Sequence, residues 1–103
     1  MRTLKLYDIQ MLTPLGMRYG QMHVESSGER LSGMLSLLGA SQPIDGTVKS
    51  DGSCEFRGKL ITLLNTIEYC AQGMIEQDSI RFSLAGAGRT FHVSGTLRED
   101  MTL

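Results

Sequence analysis

The chain has 103 residues, enough for one compact domain and too few for two. Ten basic and 11 acidic side chains leave a net charge of −1, and 41% of residues are apolar, which argues against a disordered chain. There is no basic excess to grip nucleic-acid phosphates or an anionic membrane, and two cysteines are too few for a disulfide scaffold.

The first residues, Met1–Asp8, hold no apolar run of the kind a secretory signal needs. No stretch approaches the roughly 20 apolar residues of a membrane helix. A cytoplasmic location is the resulting expectation.

Period-two alternation marks half-buried strands along the chain. Tyr7–Met11 and Arg18–Glu25 fit loosely and flank Thr13-Pro14-Leu15-Gly16, where proline and glycine suit a type I turn. After the turn at Ser26-Ser27-Gly28-Glu29, Arg30–Leu37 sets Leu31, Gly33, Leu35 and Leu37 against Arg30, Ser32, Met34 and Ser36. Pro43–Lys49 sets Ile44, Gly46 and Val48 against Asp45, Thr47 and Lys49. Ser50-Asp51-Gly52 turns the chain into Cys54–Leu64 and then Thr66–Ile75. Helical spacing of Leu60, Leu63, Leu64 and Ile67 competes there, but strand is preferred. Glu76-Gln77-Asp78 leads to Ser79–Ala85, with Ile80, Phe82 and Leu84 on one parity. Gly86-Ala87-Gly88 leads to Thr90–Leu97, with Phe91, Val93, Gly95 and Leu97. Glu99–Leu103 reads as a short tail. Loops this short force antiparallel neighbours.

The two halves look alike. A shift of 49 positions lays Leu31, Leu35 and Gly39 on Ile80, Leu84 and Gly88, and Ile44–Val48 on Val93–Leu97. The expectation is a four-stranded meander duplicated over about 5–48 and 54–97, which makes Leu60–Cys70 a strand–turn–strand like Met11–Gln21.

Six strands carry a glycine on the apolar parity: Gly20, Gly33, Gly46, Gly58, Gly73 and Gly95. The turns predict Ile9 opposite Gly20, Met22 opposite Gly33, and both Leu35 and Phe56 opposite Gly46. They also predict Gly58 opposite Tyr69, Gly73 opposite Ile80, and Leu84 opposite Gly95. Large beside small fills a narrow interior, and glycines let a sheet curl. The fold class is therefore all-β, an antiparallel up-and-down meander of eight strands in one domain, 1–103. It closes into a small barrel, with a two-sheet sandwich as the alternative. The inward set is Met22, Leu31, Leu35, Leu37, Phe56, Leu60, Tyr69, Ile80, Phe82, Leu84, Phe91 and Val93, and a solid core is expected.

Little in the chain carries chemistry. His23 and His92 fall on the polar parity, and no metal-ligand spacing exists, so neither metal nor cofactor is expected. Cys54 should face Gly73 and Cys70 should face Arg57, leaving two free thiols. There is no nucleophile elbow and no adjacent Ser–His or Cys–His pair. Gly86-Ala87-Gly88-Arg89-Thr90 lacks the lysine of a phosphate loop and reads as a turn. The better lead is an interface: Met34, Ile61, Leu63 and Met74 are outward and apolar, with Met17 nearby, and such patches more often meet a partner than a ligand.

The Thr13-Pro14-Leu15-Gly16 turn and the units Leu31-Ser32-Gly33-Met34-Leu35, Asp45-Gly46-Thr47-Val48 and Ser94-Gly95-Thr96-Leu97 carry a family resemblance over about residues 7–98. The chain resembles small bacterial β-barrel domains of uncharacterised function built from TPxG turns and GT-[VL] strands. Some of those look like appendages of flavin- or FAD-dependent oxidoreductases. The Leu31–Leu35 strand is also similar to strands of avidin-type barrels, without the biotin-site tryptophans. Leu63-Leu64-Asn65 departs from the pattern where a second Pro-x-Gly turn would stand. The resemblance implies no catalytic residues.

The functional expectation is a non-enzymatic accessory or interaction module that self-associates or meets another protein around Ile61, Leu63 and Met74. No nucleic acid and no membrane is expected as partner. The alternative is a carrier of a small apolar ligand in a barrel mouth near Tyr7, Tyr69 or Phe91.

Overall fold

A computed structural model describes residues 2–102. Eight strands follow one another: β1 (Arg2–Thr13), β2 (Gly16–Ser27), β3 (Arg30–Leu37), β4 (Ala40–Val48), β5 (Ser53–Ile61), β6 (Thr66–Ile75), β7 (Ser79–Gly86) and β8 (Arg89–Thr102). Each pairs antiparallel with the next, and β8 pairs with β1, so the sheet is a closed barrel rather than a sandwich. The contested stretch 60–70 is the end of β5, a turn, and the start of β6. The expected tail is not one, because β8 continues to Thr102 along β1. A bulge between Leu6 and Tyr7, where Arg98 is the unmatched residue, allows this by re-aiming the strand.

Alternation sends one parity inward. Its members form one continuous core that runs from Tyr7, Ile9 and Met11 on β1 to Val93 on β8. Phe56 packs edge-on against Tyr69, with centroids 6.5 Å apart, and against Phe82 at 5.0 Å. Of the expected inward set, Phe91 is half-buried at the margin of the core. The lumen is filled with side chains, as an eight-stranded barrel allows.

Three registers match the pattern: Ile9–Gly20, Gly46–Phe56 and Gly58–Tyr69. Four differ. Met22 faces Leu35, Leu35 faces Gln42, Gly73 faces Phe82, and Leu84 faces Phe91. The cause is turn position. The chain turns at Leu38-Gly39 and Ala87-Gly88, where both residues of each pair have positive φ, the signature of a type I′ hairpin. Leucine is not a turn residue by composition, so the Leu38-Gly39 turn escapes a composition-based reading, whereas Gly86-Ala87-Gly88 is legible as a turn and only its centre is misjudged. The β2–β3 and β6–β7 turns centre on Gly28-Glu29 and Gln77-Asp78, one residue later than expected. Parity survives every slip because each is an even number of residues. The six strand glycines therefore still lie beside large side chains, with Val24 and Ile44 flanking Gly33 and with Ile9 and Ile80 flanking Gly95. At Gly46 a β-carbon would run into the backbone of Glu55 and Phe56, so the sheet coils there too tightly for any side chain.

Following cross-strand partners from Arg18 through Met11, Val93, Phe82, Gly73, Cys54 and Val48 leads to the β2–β3 turn at Glu29, not back to Arg18. The strands are thus steeply tilted around the barrel. An up-and-down meander also puts alternate turns at opposite ends. The β1–β2, β3–β4, β5–β6 and β7–β8 hairpins open at one end, and the other three turns and the two outer strand ends at the other.

Candidate functional site: the hairpin end of the barrel

The four hairpins at the first end contain Pro14-Leu15, Leu38-Gly39, Thr62–Asn65 and Ala87-Gly88, with no charged residue among them. Their leucines stand in solvent. Leu63 is 105% exposed, Leu64 93%, Leu15 84% and Leu38 39%. Leu12, Met17, Tyr19 and Ile61 are exposed on the strands just behind. Only Met101, of the large exposed apolar residues described, lies toward the other end.

Local bonds hold the tips in place. The Thr13 hydroxyl donates to the carbonyl of Gly16 at 2.7 Å and accepts from the Leu15 amide. The Thr62 hydroxyl donates to the carbonyl of Asn65 at 2.9 Å and accepts from the amides of Leu64 and Asn65. Each threonine satisfies the turn backbone, leaving the leucines no partner in the fold.

The opposite end is charged. Its turns and strand ends carry Glu29, Lys49, Asp51, Glu76, Asp78, Glu99 and Asp100. Asp51 accepts from the hydroxyl and the amide of Ser53, which holds its carboxyl below the usual range.

The expected interface residues are only partly gathered. Ile61 and Leu63 belong to the hairpin end. Met74 pairs with Ser53 at the far end of β6 and is half-buried. Met34 lies on β3 between His23 and Pro43, also half-buried. Leu15, Leu38 and Leu64 join the patch although the pattern gave no reason to select them. The signal that finds them is topological: alternate turns of a meander share an end.

The barrel interior offers less to a ligand. None of five clefts on the described surface is lined by Tyr7, Tyr69 or Phe91. Tyr7 and Tyr69 are buried, and neither hydroxyl has a hydrogen-bond partner among the described residues. Burial pushes the Tyr7 phenol up to about 12 and raises that of Tyr69 further.

A groove of about 610 Å³ crosses the outer sheet over Gln10, Gln72, Arg81 and His92. In it the Ser83 hydroxyl lies 3.2 Å from Nδ1 of His92, a pairing that the expected β7–β8 register did not bring together. Arg81 is tied to Glu76 at 2.9 Å, and among the described residues the imidazole of His92 is held by Ser83 and by no carboxylate. Both thiols are free: Cys54 is buried opposite Gly73, and Cys70 is exposed opposite Arg57. Among the described residues no cluster of three metal-ligating side chains occurs.

No protein-family model matches the chain, and neither a curated protein nor a solved structure matches it significantly.

Proposed function

We propose that the protein is a non-enzymatic interaction module that docks through its hairpin end. The observation that carries this reading is the sorting of apolar surface, with fully exposed leucines on uncharged turns at one end of a barrel whose other end is charged. Exposed leucine on separate turns costs solubility and contributes nothing to the core, which fits a surface kept for a partner. The reading keeps Ile61 and Leu63 and replaces Met34 and Met74 with Leu15, Leu38 and Leu64.

The test compares the protein with a Leu15→Asp, Leu63→Asp, Leu64→Asp variant in sedimentation velocity and on a phenyl-substituted column. The reading expects the wild type to be retained and to associate or precipitate as concentration rises, and the variant to do neither. Equal retention and equal solubility would sink it.

The module is further proposed to descend from one duplicated half, about 5–48 and 54–97. In support, three hairpin registers recur 49 positions on: Ile9–Gly20 with Gly58–Tyr69, Val24–Gly33 with Gly73–Phe82, and Leu31–Gly46 with Ile80–Gly95. In two of these the glycine has changed sides, so each pair keeps one large and one small member. Thr13 and Thr62 make the same turn bonds, and Leu38 and Ala87 share a positive φ.

A further inference from the structure

We propose that the surface met by the hairpin end is an anionic lipid bilayer, with the leucine tips entering the headgroup region and Arg18 and Arg89 facing the lipid phosphates. This rests on the reading of that end as a docking surface and names what it docks on.

Charge is the first argument. The chain is nearly neutral overall, but the fold separates its charges along the barrel. Behind the tips lie Arg18 at the start of β2, Arg89 at the start of β8 and Lys59 near the end of β5, against one acid, Glu68, across from Lys59. Toward the other end the acids outnumber the bases. Arg2, Arg30, Arg81 and Arg98 are each bound to a carboxylate; Arg18, Lys59 and Arg89 behind the tips have no ion-pair partner among the described residues, nor do Lys5, Lys49 and Arg57 elsewhere on the barrel. Unpaired cations beside exposed leucines give the two attractions that hold a peripheral protein on an anionic leaflet.

Shape is the second. The leucines sit on separate protruding turns, not on one flat face. A folded partner would need a matching socket for each tip, while a fluid interface accepts all of them without one. A second copy meeting tip to tip would oppose like-charged ends. Tyr19, 74% exposed on the outer face just behind the β1–β2 tip, has the apolar ring and polar hydroxyl favoured at the headgroup level. The attachment is peripheral. The outer faces of the strands carry Asp8, Asp45, Arg57 and Ser94, so no lipid-facing apolar band encircles the barrel.

Leu38 adds a cost that the fold alone does not explain. It holds φ at 56°, where leucine is strained and asparagine or glycine would not be, and its side chain is displayed at the tip.

The test is co-sedimentation of the intact protein with vesicles of phosphatidylcholine, with and without phosphatidylserine. Binding is expected to the anionic vesicles, to weaken with salt, and to be slight on phosphatidylcholine alone. Leu63→Asp with Leu64→Asp should lower partitioning about tenfold or more. Arg18→Gln and Arg89→Gln should each lower it about fivefold. Unchanged melting temperatures would show that the variants fold. A wild type that stays in the supernatant with anionic vesicles, or binding indifferent to the tip substitutions, overturns the lipid inference. If the wild type ignores vesicles but self-associates through Leu63 and Leu64, the inference falls and the docking reading stands. If neither occurs, both fall.

Discussion

Gly58 lies opposite Tyr69 across β5–β6, and a methyl group on Gly58 would sit 2.7 Å from the Tyr69 hydroxyl oxygen. The missing side chain on one strand is the room for the phenol on the other. That hydroxyl is buried with no hydrogen-bond partner among the described residues, so it brings a desolvation cost without a compensating bond.

Two substitutions should therefore interact. Gly58→Ala overpacks the site and should cost about 1–3 kcal/mol. Tyr69→Phe removes the orphaned hydroxyl and should stabilise by about 1 kcal/mol. Together they should be less damaging than their sum, because the closest clash is with the atom that phenylalanine lacks. A double-mutant cycle in urea checks this, and strict additivity would refute it.

Leu38 should trade stability against docking. Leu38→Asn relieves a left-handed leucine and should stabilise by about 1 kcal/mol, read as a higher Tm. The same change removes one apolar tip, so retention on a phenyl column should fall. A lower Tm would contradict the strain argument.

Stability should decline at high pH. Burial pushes the Cys54 thiol from 9.0 up to about 11 and the Tyr7 phenol from 10.0 up to about 12. Between those values the native chain holds protons that the unfolded chain has released, so stability must fall as pH rises. It should be level below about pH 9 and drop toward pH 12, at up to ~1.4 kcal/mol per pH unit for each group. Urea midpoints across that range supply the measurement. A flat profile would mean these groups titrate normally in the native state.

Thiol reagents should distinguish the two cysteines. Cys70 is exposed and should react in the native protein, while Cys54 is buried with a raised pKa and should wait for unfolding. Native titration should find one thiol, and Cys70→Ser should abolish it.

Parity made the strands, the core and the closed meander legible in the sequence. Arg30–Leu37 and Thr66–Ile75 have the bounds that their alternation predicts. Registers were less legible, because a turn centred one residue away from its expected place moves every pairing by two. Thr13-Pro14-Leu15-Gly16 pins Ile9 to Gly20, whereas the Leu38-Gly39 turn falls between the expected strands Arg30–Leu37 and Pro43–Lys49, where no turn was assigned. The apolar hairpin end was half visible. Ile61 and Leu63 stand out locally, but Leu15 and Leu38 come to the same end only through the order of the strands. The charge balance is limited in the same way, because a net charge has no position. The expectation of no membrane partner followed from that total, and the proposal of an anionic bilayer follows from where the charges fall.

Pairing of β1 with β8 joins Thr3 to Thr102, the widest sequence separation among the strand partners of the described residues. No turn joins these two strands, so this seam carries the largest loop-closure entropy of the eight strand pairings. A chain in which this seam is open exposes two long strand edges, each able to add a strand from another molecule. Refolding yield is then a race between one intramolecular closure and a bimolecular reaction, and dilution favours the closure.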